Sequence, residues 1–292
     1  MSRAVVTGFS SSDYALRLRG PMVADKTTTI DWRPGEWPRV GGPPAFIASA
    51  MVRAGFADVV PVSWVGQDRD SETFRAALSE AGVDIGGIAQ LPGRMPTSVL
   101  AYEPDGGCHC LFDPAITVPQ RLDARQSALV AGADWVCLTV GPPEVTEQVL
   151  ALIRPEAKLV WSVKVDERVM PGDLAARVAA RADIAAWSRG EAEFAAKAFA
   201  GSATDRPDRL LIETRGGNGV ILRAGGEEAR FPVRAIETSD TTGAGDTFLG
   251  GFLAAFIQEP GDARGAIRHG IAAVEALLKA RLRNNHQGSE TP

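Results

Sequence analysis

The segment DTTGAGDTF, residues 240–248, places two glycines and two carboxylates directly ahead of the apolar run FLGGFLAAFI. After Asp246, apolar residues recur at three- and four-residue steps, which predicts a buried amphipathic helix. Gly243, Ala244 and Gly245 would then lie at the helix N-terminus. Backbone N–H groups there lack helical partners, and small side chains let an anion come close. The pattern therefore predicts an anion-binding turn.

Two roles are open to Asp246. An aspartate at the start of a helix commonly caps it. Beside an anion site, its carboxylate could instead accept the proton of a hydroxyl group that attacks a phosphorus atom held by the amides. The usual phosphate-binding motifs do not apply, because the spacing G-x-x-x-x-G-K-[ST] is absent and neither this turn nor GGNG at 216–219 fits G-x-G-x-x-G.

The rest of the chain alternates between strand-like and helix-like segments. Nearly continuous apolar runs predict strands at 4–8, 59–66, 134–140, 158–165, 183–188 and 209–214. Helical length and periodicity predict helices at 71–82, 143–153, 172–182 and 190–200. The first helix is expected to be capped by Ser71 and to end at Gly82. This alternation predicts an α/β fold, with a mostly parallel central sheet and helices on both faces.

Two regions interrupt the alternation. Residues 14–40 combine polar and apolar alternation with turn residues, and residues 97–112 read as a β-hairpin around PDGG at 104–107. Inserted strands of this kind often cover a ligand site, and a surface hairpin is the alternative. We expect a small β lid at the C-terminal edge of the sheet, where open α/β sheets bind ligands, and a homodimer joined through the lid. No domain boundary is evident, so residues 1–292 are expected to form one domain.

Charge and hydropathy narrow the classes of partner. The 292 residues include 31 basic and 36 acidic side chains, giving a net charge of −5. Because like charges are not clustered, neither nucleic acid nor an anionic membrane is expected as a partner. No apolar run reaches the roughly eighteen residues of a membrane span, and the chain starts with a strand-like segment in place of a signal peptide. A cytoplasmic location is therefore expected.

The cysteines invite a metal interpretation. Cys108, His109 and Cys110 are consecutive and are residue types that bind zinc. On a strand, however, the two cysteines would face one side and His109 the other, so the three cannot converge on one ion. With three cysteines in a chain of this length, we expect neither a disulfide framework nor a zinc site.

The turn at 240–248 resembles the C-terminal signature of the PfkB or ribokinase-like family of carbohydrate and nucleoside kinases. The resemblance continues along the chain in the family's order. GFSSSD at 8–13 is similar to the first strand and loop, and GGPPAFIASAMVRAG at 41–55 to the N-terminal glycine signature, which VGQDRDSETFRAALSEAGVD at 65–84 continues.

Two later segments extend the resemblance. The hairpin at 97–112 occupies the place of a lid strand pair, and ETRGGNGVIL at 213–222 is similar to the strand and loop beside the nucleotide phosphates. The resemblance implies a ribokinase-like fold, with ATP and Mg²⁺ as cofactors.

It also implies roles at the transfer and acceptor sites. Asp246 would be the catalytic base, and the amides of Gly243, Ala244 and Gly245 would form the anion hole. Asp13 would bind hydroxyl groups of the acceptor. The glycine signature supplies three further acceptor-site positions, which are Gly41, Gly42 and Phe46.

Nucleotide and ion positions follow in the same way. Thr214, Gly216 and Gly219 match nucleotide-site positions, and His269 would approach the adenine, although a histidine on a helix face is often only packed. Glu191 would organise Mg²⁺ through water. Asp240 matches a position that helps to bind a monovalent cation such as K⁺ in some members.

The chain departs from the family pattern at four positions. Phe46 stands where an asparagine usually bonds a sugar hydroxyl, and Ser188 replaces the asparagine of the N-x-x-E element that ends in Glu191. Ser162 and Lys164 replace an Asp-x-Asn pattern. Lys164 could direct a positive charge at the phosphates or could be a solvated lysine at a strand end.

Two classes of function are consistent with these residues. The first is an ATP-dependent kinase that transfers the γ-phosphoryl group to a hydroxymethyl group of a sugar or related small molecule. A nucleoside acceptor is the alternative, since Phe46, Trp32, Trp37 and Tyr102 could stack on a base. The second class is a catalytically degenerate sensor that binds a sugar or nucleotide. Ser188, Ser162 and Phe46 favour the sensor, whereas Asp13, Glu191 and the complete GAGD turn oppose it.

Overall fold

A computed structural model describes residues 2–31, 38–200, 206–238 and 240–287, with side chains through residue 283. Trp32 and Trp37, which we considered as stacking residues, lie outside the described residues. The strands are β1 Ala4–Thr7, β2 Ser11–Leu18, β3 Ile30–Asp31, β4 Arg39–Gly41, β5 Val59–Val65, β6 Ile88–Gln90, β7 Thr97–Tyr102, β8 Cys108–Asp113, β9 Trp135–Leu138, β10 Lys158–Ser162, β11 Ile184–Ser188, β12 Leu210–Thr214, β13 Val220–Ala224 and β14 Glu227–Phe231. The helices are α1 Pro43–Arg53, α2 Arg69–Glu80, α3 Ala124–Gly132, α4 Pro143–Leu152, α5 Gly172–Arg181, α6 Ala192–Phe199, α7 Ala244–Gln258 and α8 Ala263–Gln287.

The described residues form a nine-stranded central sheet in the order β14-β13-β12-β11-β10-β9-β1-β5-β6. The pairs from β6 through to β12 are parallel, and β13 and β14 extend that edge antiparallel. This confirms the mostly parallel sheet predicted from the apolar runs. Because parallel strands end at the same edge, the loops after β1, β10, β11 and β12 are neighbours there.

Both faces of the sheet are covered by helices, as predicted. On β1, Val6 belongs to the core cluster shared with α1, α2, α7 and α8, whereas Val5 belongs to the cluster shared with α3, α4, α5 and α6. Successive side chains of a strand point to opposite faces, so a strand buried on both sides must be apolar throughout. None of the helices in the described part of the chain combines the length and apolar character needed to cross a membrane.

A second sheet forms the lid. Its strand order is β3-β2-β7-β8. The short strand β4 pairs with the first three residues of β2, Ser11 to Asp13. Strands β2, β3 and β4 lie at or near the segment 14–40, and β7 and β8 lie at the segment 97–112, where inserted strands were expected; β2 starts slightly earlier than predicted. The segment 108–110 lies on β8, whose six residues are all exposed, and His109 Nε2 lies 2.9 Å from Glu103 Oε1.

Some local predictions need correction. Helix α2 begins at Arg69 with Asp68 as its N-cap, not with Ser71, because the backbone N–H of Ser71 donates to Asp68 Oδ1 at 3.1 Å. Glycine does end this helix, since Gly82 follows it with a φ of 78°. The sequence patterns also missed five elements, which are β6, β14, α1, α3 and α8.

Candidate active site

The glycine turn lies at the N-terminus of α7, as predicted. Gly243 is the N-cap with φ 65°, a left-handed conformation that favours glycine. The backbone N–H of Ala244 donates to the Thr241 carbonyl at 3.0 Å and closes the turn. The anion-binding donors supported by this geometry are therefore the amides of Gly243 and Gly245, and Ala244 contributes to the shape of the turn.

Asp246 lies in the first turn of α7 but does not cap it. The N-cap is Gly243, with no side-chain capping bond. Asp246 is 8% exposed, and its Oδ1 has no hydrogen-bond partner among the described residues. Burial raises the pKa of Asp246, and the nearby Lys164 ammonium opposes that rise. A buried carboxylate oxygen without a partner is costly in a folded protein, so this atom is available for chemistry.

Asp13 reaches the same region from the lid strand β2. Its carboxylate lies against Gly41 on the paired strand β4, where a Cβ atom would overlap it. Gly42 has φ 88° and approaches the Phe9 carbonyl too closely for a side chain. The hydroxyl of Ser11 donates to Asp13 Oδ1 at 2.6 Å. Gly41 thus makes room for the Asp13 carboxylate, and Gly42 makes room for the backbone of the loop after β1.

Asp13 is close enough to Asp246 for the two carboxylates to influence each other electrostatically. Burial raises the pKa of Asp13 to about 6, and the charge of Asp246 adds to the rise. Hydrogen bonds from Ser11 and Ser98 act in the opposite direction. Two neighbouring carboxylates in a buried site favour the protonation of one of them.

A cavity of about 530 Å³ opens beside the glycine turn. Thr214, Gly216 and Gly219, which we expect at a nucleotide site, line this cavity. The polar part of its lining includes Thr241, Ala244, Gly245, Lys164, Arg189 and Arg215. The apolar part includes Val220, Val233, Ile236, Ile271, Val274 and Leu278. The cavity therefore combines cationic groups and the N-terminus of α7 with apolar side chains suited to a planar ring.

His269 does not line this cavity, which corrects the prediction for that residue. It lines a smaller pocket with Gln258, Glu259 and Asp262. Residues two apart on a helix differ by about 200° in direction, so His269 and Ile271 lie on nearly opposite sides of α8. Ile271, Val274 and Leu278 form the face toward the cavity.

Glu191 follows β11 and is held in place by its own turn. Its Oε2 accepts the backbone N–H of Ser188 at 2.5 Å, as half of a capping box. Its Oε1 lies 3.4 Å from the Lys164 ammonium nitrogen. Burial lowers the pKa of Lys164, but the charges of Asp246 and Glu191 outweigh it and raise that pKa. Of the two interpretations of Lys164, the structure favours a charge directed into the site.

Asp240 lies at the start of the turn and is surrounded by cations. Its carboxylate pairs with Arg39 of β4 and lies 3.4 Å from Nη1 of Arg281 on α8. The hydroxyl and backbone N–H of Thr242 also donate to Oδ1, at 2.7 and 3.1 Å. Burial raises the pKa of Asp240, but the two arginines and Thr242 lower it by a larger amount. The net shift of this pKa is therefore downward. The carboxylate expected to bind a monovalent cation is thus engaged by two guanidinium groups.

The lid is fastened to the glycine turn. Tyr102 at the end of β7 is buried, and its hydroxyl lies 2.6 Å from that of Thr242. Arg39 adds a second connection through Asp240. The sequence analysis assigned no role to Arg39, Arg281 or Thr242. The two arginines lie outside any motif, and Thr242 lies within the glycine turn, where its hydroxyl had no evident partner. The apolar wall of α8 could have been found from the three- and four-residue steps between residues 271, 274 and 278.

Together these groups form a cavity with backbone donors and positive charge at the start of α7. The buried Asp246 lies in the first turn of the same helix, and the buried Asp13 lies on the lid strand β2. A carboxylate beside an anion site can accept a proton while charge is transferred.

Comparison with known proteins gives matches that cover this site. A family model described as pfkB family carbohydrate kinase matches residues 35–281. An ATP-dependent ribose-1-phosphate kinase from Halopiger xanaduensis is 26% identical, over 92% of this chain and 89% of the relative. A cytidine kinase from Thermococcus kodakarensis is 28% identical, over 74% of this chain and 80% of the relative. A crystal structure described as an E. coli ribokinase II in complex with ATP and Mg²⁺ has a TM-score of 0.72 and 19% identity, covering 93% of this chain and 91% of that one.

Proposed function

Because the chain belongs to the pfkB family of carbohydrate kinases, whose model spans residues 35–281, we propose that it transfers the γ-phosphoryl group of ATP to a hydroxymethyl group of a sugar or related small molecule. The observation that carries this proposal is the unpartnered, buried Oδ1 of Asp246 at the glycine turn. A carboxylate kept for helix capping would have donors, and this oxygen has none among the described residues.

The residues fit ATP and Mg²⁺. The cavity of about 530 Å³ offers apolar side chains for adenine and the amides of Gly243 and Gly245 for phosphate oxygens. Groups of three or more potential metal-ligating His, Cys, Asp or Glu side chains do not occur in the described residues. Such an arrangement suits Mg²⁺, which commonly retains water and binds one or two carboxylates together with substrate phosphates. Glu191 would orient its water ligands, and the bound ion would neutralise charge on the phosphates.

Residues of the protein bind the acceptor, accept its proton, stabilise the developing charge and exclude water. Asp13 holds acceptor hydroxyl groups under the lid, and Asp246 Oδ1 accepts the proton of the attacking hydroxyl. The Gly243 and Gly245 amides stabilise charge on the transferring group, because they are already oriented before the reaction. Lys164 adds positive charge beside Glu191 and keeps Asp246 more readily ionised. The lid excludes water from the acceptor, since Tyr102 and Arg39 fasten it to the turn.

The acceptor could be a sugar, a sugar phosphate or a nucleoside, as the names of the two relatives illustrate. Phe46 replaces a polar sugar contact with an aromatic ring, which suits an acceptor with an apolar face. Its ring also packs on Gly243, so it supports the turn as well. We keep the sugar class as the leading acceptor, with the nucleoside as the alternative.

A cytoplasmic location and a homodimer through the lid remain part of the proposal. The edge strand β8 is exposed along its length and carries Leu111 and Phe112, which are 56% and 39% exposed. An edge strand with exposed apolar side chains favours association with a second copy. Sedimentation of wild type and of Leu111→Lys would test this, and a monomeric wild type would contradict it.

The central experiment measures ADP release with Mg²⁺ against a panel of ribose, ribose 1-phosphate, fructose, cytidine and inosine. We expect release with at least one acceptor, and its abolition when Mg²⁺ is chelated. Calorimetric titration of the same compounds serves as the control for binding. Binding without ADP release from any acceptor would instead support the sensor function.

A further inference from the structure

The position expected to bind a monovalent cation is filled by a side chain of the protein. Nη1 of Arg281 lies 3.4 Å from Oδ1 of Asp240 and 3.4 Å from its backbone oxygen. Monovalent cations in proteins are held by oxygen atoms such as these. An ion bound to both oxygens would occupy the space of the guanidinium group. The residues at Asp240 therefore do not fit a cation while Arg281 is in place.

From this disagreement, and resting on the proposed kinase function, we propose that Arg281 is a built-in cation that positions the phosphate-binding turn and makes phosphoryl transfer independent of K⁺. Arg281 is a positioning residue in this proposal, because it acts through Asp240 and Thr242.

Charge and burial support the proposal that Arg281 takes the place of a monovalent cation. The side chains of Arg281 and Asp240 are 13% and 12% exposed. Arg39 supplies a second guanidinium to the same carboxylate. A third positive charge at this buried carboxylate would be repelled by both arginines at short range. The charge that a cation would bring is thus already present.

The contacts lead from Arg281 to the anion-binding turn. Asp240 Oδ1 accepts both the hydroxyl and the backbone N–H of Thr242, the residue directly before Gly243. Removal of Arg281 would leave Asp240 with one guanidinium partner and would loosen this turn. The Gly243 and Gly245 amides would then be less well oriented toward the phosphate.

The test compares ADP release in buffers whose only monovalent cation is tetramethylammonium with release in K⁺ buffers. We expect wild type to respond to neither K⁺ nor Na⁺. Arg281→Ala should lose at least about tenfold in kcat, and should regain activity on addition of guanidinium or K⁺. Arg283→Ala is the matched control, because this exposed arginine lies on the same helix and should behave as wild type.

Several outcomes would overturn the proposal. Dependence of wild type on K⁺ would show that an ion binds despite Arg281. Wild-type activity in the Arg281→Ala variant would show that Arg281 has no positioning role. A rise in KM for one acceptor alone, without rescue by a cation, would assign Arg281 to acceptor binding. If Arg281→Ala does not fold, the cation response of wild type and of Arg281→Lys decides the question. Absence of ADP release by wild type with every cation would contradict the kinase function itself.

Discussion

The ring of Phe46 packs against the backbone of Gly243, such that a Cβ atom on Gly243 would lie 2.6 Å from ring atom Cδ1. This contact joins α1, which carries the glycine signature, to the turn at the start of α7. The proposed acceptor pocket and the proposed phosphate-binding turn therefore share one packing contact. Substitutions on either side of it have separable effects.

Alanine substitutions at Gly243 and Gly245 should have different effects on thermal stability. Gly243→Ala should lower thermal stability by about 2–4 °C or more, because φ 65° strains an L-residue by roughly 1 kcal/mol and the new Cβ meets Phe46. A Cβ on Gly245 meets nothing within 4 Å, so Gly245→Ala should keep wild-type stability. Gly245 lines the cavity, and Gly245→Val should weaken ATP binding about tenfold. Thermal melts with and without ATP measure both effects, and equal ATP affinity in Gly245→Val would contradict the anion-hole assignment.

Phe46→Asn should change the ranking of acceptors. An amide at this position can bond a sugar hydroxyl, and a polar contact of this kind is worth about 1–3 kcal/mol, or on the order of tenfold or more. We expect kcat/KM for simple pentoses or hexoses to rise relative to the native acceptor. Phe46→Leu is the control that retains apolar packing on Gly243. An unchanged ranking would place Phe46 outside the acceptor pocket.

Asp246→Asn should retain the fold and lose activity. The Oδ1 atom has no protein partner, so its replacement by an amide disturbs few contacts. Loss of a general base usually costs roughly 10²- to 10⁴-fold in rate. Asp70→Asn is a matched control, since Asp70 is an exposed acidic residue in the first turn of α2. Equal rates of ADP release for wild type and Asp246→Asn would contradict the assignment of Asp246 as the catalytic base.

Lys164→Met should shift the pH dependence of turnover. The ammonium of Lys164 lowers the pKa of Asp246, against the larger effect of burial. Without that charge the pKa of Asp246 rises further, so the base stays protonated to higher pH. The acid limb of the pH profile of kcat/KM therefore moves to higher pH. Lys158→Met is the control, because that lysine also lies 3.4 Å from a carboxylate, at the other end of β10. A uniform loss at every pH would instead indicate that Lys164 acts only on the phosphates.

Asp13→Asn should stabilise the protein at alkaline pH while it impairs acceptor binding. Folding raises the pKa of Asp13 from its ordinary 3.8 to about 6, so the native state binds the proton more tightly than the unfolded chain. Stability is therefore lost as the pH rises from about 4 through 6, by up to about 3 kcal/mol. Asparagine removes that loss and still accepts the Ser11 hydroxyl. Denaturant unfolding at pH 4.5 and at pH 8 should show a larger gain at the higher pH, and a less stable variant at pH 8 would contradict the shift.

Local patterns in the sequence were sufficient to predict the parallel sheet, the helices on both faces, the lid strands and the turn at α7. Periodicity reports burial along one element, and glycine reports backbone conformation and close approach, so both are readable without the fold. The same reasoning misplaced the cap of α2 at Ser71, because neighbouring polar residues compete for one helix terminus. It also did not use the apolar spacing of α8, which separates the face of Ile271 from the face of His269.

Only the tertiary structure decided which charges meet. Arg39 lies 201 positions from Asp240 and Arg281 lies 41 positions from it, yet both guanidinium groups reach its carboxylate. Lys164 and Glu191 follow the adjacent strands β10 and β11, whose parallel pairing brings their ends together. Partners of this kind depend on strand order and helix packing, which no local spacing encodes. The sequence alone therefore determined the glycine turn at the start of α7 and the carboxylate that follows it, and the fold determined which charged side chains surround them.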